Sequence, residues 1–298
     1  MSNYLTFAFI GGDQRQVNVI KGFAVEGYRV NVFGIESDEL RSTENTIIYK
    51  NMSEALSEAD IVVLPLPYLS ILDSKMINSP LHREDIAVEE LFKAISDSNI
   101  KLVLAGKVDE KLLKLSEIYG IQIIDYIERD ELAILNAIPT AEGAVSIAME
   151  ELPITIHSSE CLCIGYGRVG KVLARTLYGL GAKVTVAVRK PSDIAFIKAY
   201  GYTGINITEP LRDAEKYDIV FNTVPAKIVD ENILQELSDD CVIIDLASKP
   251  GGVDFEIAKI LGKKVIWALS LPGKVAPLTA GTIIKDTIKN ILSELGVT

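Results

Sequence analysis

Glycines spaced two and then three residues apart carry the clearest chemistry in this chain, in Cys161-Leu-Cys-Ile-Gly165-Tyr166-Gly167-Arg168-Val169-Gly170. The apolar run ahead of them reads as a buried parallel strand. Gly165 permits a tight turn, Gly167 lets backbone approach a pyrophosphate, and Gly170 allows a following helix to pack closely on the strand. That helix carries Val169, Val172, Leu173, Leu177 and Leu180 at helical spacing. Its first amides and its dipole then face an anion. Gly181 ends the helix, and Lys183 to Val188 form the next strand. This strand-turn-helix-strand order predicts a dinucleotide site. At the tip of the second strand, an NAD-selective site presents Asp or Glu to the ribose 2′-hydroxyl. Here that place holds Arg189 and Lys190. A carboxylate would repel a 2′-phosphate, whereas a guanidinium pairs with it through two hydrogen bonds. NADP is the favoured cofactor, with NAD possible.

Further loops are expected at the carboxyl ends of later strands, where open α/β sheets hold ligands. They are Asn222-Thr223-Val224-Pro225, Asp245-Leu246-Ala247-Ser248-Lys249-Pro250-Gly251-Gly252 and Leu271-Pro272-Gly273-Lys274. The Thr-Val-Pro turn would lie beside adenosine and ribose, and the later loops nearer the nicotinamide. Hydride transfer asks the protein for positioning and electrostatic support, because the cofactor does the chemistry. A 2-hydroxy acid dehydrogenase also needs a proton acceptor, usually a His held by a carboxylate. No His stands in the loop before the last helix, and His157 precedes the glycine-loop strand, where a structural role is expected. The catalytic residue is therefore unassigned. Arg15, Lys107 and Arg129 each fall near a strand end or helix start and suit a dicarboxylate.

The elements that must position these residues repeat strand then helix in both halves. In the first half, strands are expected near 6–10, 28–33, 60–64, 101–104 and 121–124, with helices from Asp13 to about Glu26 and near 87–97 and 109–118. In the second, strands are expected near 161–165, 183–188, 218–222, 241–246 and 264–267. An apolar helical stretch, 129–150, interrupted at Pro139, connects the halves. A last helix carries Ile284, Ile288, Ile291 and Leu295 and returns to the first domain. The fold class is α/β, with two Rossmann-like, doubly wound parallel-sheet domains and a cleft between them. The domains are placed at 1–150 and 151–298. The first domain's glycine turn, Gly11-Gly12-Asp13, carries an acid where a pyrophosphate would sit, so it reads as a fold relative and not a second nucleotide site.

Composition narrows the classes. A net charge of −11 with no basic stripe argues against nucleic acid. No signal peptide or membrane-spanning run is read, so a soluble cytoplasmic protein is expected. Two histidines make a His-based metal site improbable, and three cysteines read as buried thiols.

Several strings resemble the A subunit of dipicolinate synthase from spore-forming bacteria: Ile10-Gly-Gly-Asp-x-Arg-Gln16, Glu128-Arg-Asp-x-x-Ala133, Asn136-x-Ile-Pro-Thr-x-Glu-Gly143, Asp245-Leu-Ala-Ser-x-Pro-Gly-Gly252 and Leu271-Pro-Gly-x-Val-Ala-Pro277. They span the chain in order. The Asp-Leu-Ala-Ser and Pro-Gly-Gly piece also resembles the nucleotide domains of alanine dehydrogenase and transhydrogenase. The resemblance implies oxidation of dihydrodipicolinate, derived from 4-hydroxy-tetrahydrodipicolinate, to pyridine-2,6-dicarboxylate. It also implies work in the mother cell during sporulation, together with a flavoprotein-like second subunit. On that reading Arg15 and Arg129 grip the carboxylates, Thr140 and Glu142 line the hinge side, and Gly12, Asp13 and Lys107 complete the substrate surface. A homo-oligomer is expected. Two alternatives stay open: an alanine-dehydrogenase-like amino or hydroxy acid oxidoreductase, and a non-catalytic NADP-binding subunit of a two-subunit synthase.

Overall fold

The computed structural model of the chain describes residues 5–209, 211 and 213–297. Its described residues form two compact units, 1–133 with 276–298 and 134–275. Residues 134–150 and 276–298, expected in the first and second domain respectively, lie in the second and first unit.

The first unit is built on strands β1 (Thr6–Ile10), β2 (Arg29–Phe33), β3 (Thr46–Ile48), β4 (Ile61–Val63), β5 (Leu102–Ala105) and β6 (Gln122–Asp125). They pair in parallel in the order β3-β2-β1-β4-β5-β6. Its helices are α1 (Gln14–Val25), α2 (Asp38–Arg41), α3 (Met52–Leu56), α4 (Val88–Ser96) and α5 (Glu110–Tyr119). β1, β4 and β5 are buried along their whole length, which is why they read as unbroken apolar runs.

Helix α6 (Asp130–Glu151) leads into the second unit. There, β7 (Glu160–Ile164), β8 (Lys183–Val188), β9 (Thr203–Asn206), β10 (Ile219–Asn222), β11 (Val242–Asp245) and β12 (Lys264–Trp267) pair in parallel as β12-β11-β10-β7-β8-β9. The intervening helices are α7 (Arg168–Gly179), α8 (Pro191–Ala199), α9 (Glu231–Glu236), α10 (Phe255–Ile260) and α11 (Leu271–Val275). Each unit is thus a Rossmann-like, doubly wound sheet covered by helices. In each, the strand order reverses direction beside the first strand of the unit, between β1 and β4 and between β7 and β10.

Three expectations change. Edge strands β3 and β9 were not read from the sequence, because they are short and only partly buried, and β9 carries Gly and Asn, which give weak strand signals. α6 runs unbroken through Pro139 over 22 residues. Proline removes one backbone donor there, but Ala141, Ala144, Val145 and Ala148 after it are buried in the second core, and that burial holds the axis. The Leu271-Pro-Gly-Lys segment, expected as a turn, is the one-turn helix α11. By length and composition alone α6 is also long and apolar enough to cross a membrane.

The last helix, α12 (Pro277–Glu294), packs on α1 within the first unit. Ile284, Ile288, Ile291 and Leu292 join Val19, Ile20 and Phe23 in one core. Lys285 and Lys289 both reach Glu26 at 2.5 Å. Burial opposes charge on Glu26, yet the two ammonium groups outweigh it and hold its carboxyl below the ordinary range. The helices approach so closely that a β-carbon on Gly281 would stand 2.6 Å from the Arg15 carbonyl oxygen. Gly281→Val should therefore lower stability by about 1–3 kcal/mol, through overpacking against backbone. Denaturant unfolding checks this, and an unchanged midpoint would refute the close packing.

Candidate functional site

The second unit's ligand end is assembled at its strand-order reversal, from the loops after β7 and β10. Gly165 has φ +99°, a conformation that favours glycine. A β-carbon there would run into the Thr223 hydroxyl, and one on Gly170 would run into the Gly165 carbonyl oxygen. These are the turn and the helix–strand contact that the glycine spacing predicts. At Gly167, by contrast, a β-carbon would meet nothing within 4 Å. The open face thus lies at the position expected to admit a pyrophosphate. Gly167 caps α7 without a side-chain hydrogen bond, so the helix's first amides are not covered by a capping side chain. Thr223 closes the floor of the turn: its amide and its hydroxyl each donate to the Ile164 carbonyl at 2.9 Å. Tyr166 is half-buried, with the Lys171 ammonium 5.6 Å from its ring centre, and Arg168 is exposed at the start of α7.

Asp245, at the end of β11, ties the remaining loops together. It is fully buried. Its Oδ1 accepts from Asn222 Nδ2 at 2.8 Å and from the Ala247 amide at 3.0 Å, and its Oδ2 accepts from the Gly252 amide at 2.8 Å. Asn222 also donates to the Val224 carbonyl and accepts from the Val224 amide. Trp267 Nε1 donates to the Ala247 carbonyl at 2.9 Å. Asn222, Thr223, Val224, Leu246 and Ala247 are therefore held by one network, which leaves Pro225 and Ser248 exposed at the rim. Pro272 and Gly273 lie in α11, half-buried. Asp245 was quoted in a sequence string but not singled out for a role. Its signal was an acid ending an apolar strand and followed by small residues.

Arg189 and Lys190 follow β8 directly, both exposed, and Lys190 is the N-cap of α8. The thiols are not poised for chemistry. Burial pushes Cys161 up to about 11 and Cys241 up to about 12, and holds Cys163 well above the ordinary thiol value. His157 lies against Gly181, in contact with Ser158, before the start of β7 and so at the opposite end of that strand from the glycine turn. No cluster of three or more metal-ligating side chains occurs among the described residues.

In the first unit, Asp13 caps α1, as its position predicted, accepting from the Arg15 amide. The Arg15 guanidinium returns along the same carboxylate, with Nη2 at 2.6 Å from Oδ2, and also donates to the Leu66 carbonyl beyond β4. Arg15 thereby spans the reversal between β1 and β4. Lys107 is exposed beyond β5, at φ +65°, with its amide held by Asp125. Arg129 is engaged differently from the substrate grip expected of it: Nη1 and Nη2 take both Glu294 oxygens and Nε takes Glu131. Those carboxylates raise its pKa further, Glu294 most. In the second unit, the Thr140 hydroxyl donates to the Asn136 carbonyl within α6, while Glu142 is exposed.

Asp245→Ala removes one acceptor group from three buried donors, which should cost about 3 kcal/mol or more. Asp245→Asn should fold but weaken dinucleotide affinity by shifting the 222–225 loop. Thermal unfolding and a cofactor titration read the two effects.

Comparison with known proteins places these features. Residues 6–127 match the family described as the N-terminal domain of the dipicolinate synthase A subunit, and residues 162–249 match NADP oxidoreductase coenzyme F420-dependent. The A subunit of dipicolinate synthase from Bacillus subtilis (strain 168) is 30% identical over 98% of this chain and 97% of its own. The crystal structure of the corresponding dipicolinate synthase chain from Bacillus halodurans aligns with TM-score 0.89 at 31% identity, covering 97% of this chain and 98% of that one. A transhydrogenase from Sinorhizobium meliloti shares the fold, with TM-score 0.73 at 16% identity over 98% of this chain and 94% of that one. With two doubly wound units, an open glycine turn and near end-to-end similarity to these relatives, the chain belongs to the family of dipicolinate synthase A subunits.

Proposed function

We propose that this chain is the NADP-dependent oxidoreductase subunit that converts dihydrodipicolinate, derived from 4-hydroxy-tetrahydrodipicolinate, into pyridine-2,6-dicarboxylate. The observation that carries the nucleotide part is the open face at Gly167 beside an α7 N-terminus with no side-chain cap. The substrate part rests on family membership.

When bound, the nicotinamide supplies the hydride acceptor. The chain's own residues hold and orient. Gly165, Gly167 and Gly170, with the amides of Tyr166, Arg168 and Val169, would receive the pyrophosphate. Arg189 and Lys190 would take the 2′-phosphate, which favours NADP over NAD. Asn222, Thr223, Val224 and Pro225 would border the ribose, and Leu246, Ala247, Ser248, Pro272 and Gly273 the nicotinamide side. In the first unit, Gly12, Asp13, Arg15 and Lys107 are the groups for the substrate carboxylates. Arg129 is assigned to structure, since Glu294 and Glu131 already take its donors. Thr140 and Glu142 keep a secondary role on α6. Aromatisation favours hydride loss, so a strong dedicated base is less needed, in keeping with the absence of an assigned one.

The same reading includes a flavoprotein-like second subunit, a homo-oligomeric assembly and the cytoplasm of the mother cell in a sporulating bacterium. The decisive assay mixes purified chain with freshly generated precursor, with and without the second subunit, following pyridine absorbance and NADPH. Turnover by this chain alone supports the reading, and turnover only with the partner supports a shared centre. No turnover in either case would sink it. Arg189→Ala should weaken NADPH binding by roughly 10–100-fold while sparing NADH. An equal loss for both cofactors would mean that the arginine does not read the 2′-phosphate.

A further inference from the structure

Buried polar side chains almost always find a partner, and each exception asks for a reason. Among the described residues two side-chain atoms are buried without one, Gln16 Nε2 and Asn136 Oδ1. Gln16 is the more deeply enclosed, with 1% of its surface exposed. It is the third residue of α1 and closes the Gly-Gly-Asp-x-Arg-Gln string.

Its side chain folds back over the start of the helix. A β-carbon on Gly12 would stand 2.5 Å from Gln16 Cβ and 2.6 Å from its Cγ. Gly12, at φ +132°, therefore leaves the space through which Gln16 turns toward the glycine turn. The result is an amide donor beside a 12-residue helix's positive end, at the strand-order reversal of the first sheet. The charges around it balance. The Asp13 carboxylate is paired with Arg15, so the cluster carries no net charge to repel an anion. Arg15 commits Nε and Nη2 to Asp13 and Leu66, and its Nη1 has no hydrogen-bond partner among the described residues.

We infer that Gln16 Nε2 and Arg15 Nη1 form a carboxylate-binding subsite in the first unit, in which Gln16 selects a planar carboxylate through its otherwise unsatisfied donor. A singly charged carboxylate suits a neutral amide, a helix end and one free guanidinium nitrogen. A doubly charged phosphate would bring more negative charge than a neutral amide and one free guanidinium nitrogen can offset. The inference rests on the proposed function for the identity of the carboxylate, not for the existence of the subsite.

An unpaired buried donor costs stability, and removing it without leaving a void should not. That separates a ligand role from a packing role. Calorimetric titration of the full chain with pyridine-2,6-dicarboxylate, pyridine-2-carboxylate and malate, with thermal unfolding alongside, is the test. Gln16→Met should weaken pyridine-2,6-dicarboxylate about tenfold or more, leave NADPH affinity unchanged, and hold or raise the unfolding temperature. Gln16→Glu, which keeps the size but replaces the amide with an anion, should lose binding at least as strongly. If either variant binds the carboxylates as well as the natural protein does, the subsite is overturned, whatever happens to stability. Natural protein that binds another of these carboxylates in a Gln16-dependent way, but not pyridine-2,6-dicarboxylate, upholds the subsite and overturns the substrate reading. Binding of none of them overturns both.

Discussion

A carboxylate with no exposed surface governs the ligand end of the second sheet. Taking a charge out of water is expensive unless donors replace the lost hydration. Asp245 meets that demand with the Asn222 side chain and the Ala247 and Gly252 amides. One donor ends β10, and the other two stand near the two ends of the loop that follows β11. Satisfying one buried anion thus ties both ends of that loop to β10 and to the glycine turn beside it. Gly252 can approach because a β-carbon there would collide with Asn222, which makes the glycine a condition of the network.

The first sheet solves the equivalent problem with the opposite charge in the lead. Arg15 is buried at the start of α1, pairs with the capping Asp13, and reaches across the reversal to the Leu66 carbonyl. The two units therefore share a topology but not an electrostatic plan. One leaves an open glycine turn at a helix start with no capping side chain, a form suited to a pyrophosphate. The other fills its turn with an ion pair and leaves a single amide donor unsatisfied, a form suited to a smaller anion. An acid in the Gly-Gly-Asp turn was the sequence sign of this division, and the geometry supplies its reason.

Much of the fold was legible because buried parallel strands announce themselves. β1, β4, β7 and β10 are apolar runs bounded by glycine or polar turns, and the hydrophobic effect leaves few other places for such runs. Edge strands β3 and β9 escaped because one side of each faces no neighbour, so no strict pattern is imposed on their residues. α6 looked broken because a proline inside a helix usually breaks it, and only the burial of its later turns in the second core overrides that local rule.

The site divides in the same way. The residue types at Gly165, Gly167 and Gly170 and the cations at Arg189 and Lys190 followed from spacing, since the glycine turn and the strand tip are built by backbone and neighbours within one β-α-β unit. Arg129 shows where spacing stops. Glu294 lies 165 residues away in sequence, and nothing local reveals that it occupies the guanidinium. Gln16 shows the reverse: its type and place were in a quoted string, but an unsatisfied donor is a property of everything packed around it. By itself, then, the sequence determined the class of fold, the nucleotide turn and the family strings, because local chain geometry and hydrophobic periodicity encode them. Only the tertiary structure decided which polar groups are already satisfied and which still await a partner, because that depends on contacts between residues the chain order keeps far apart.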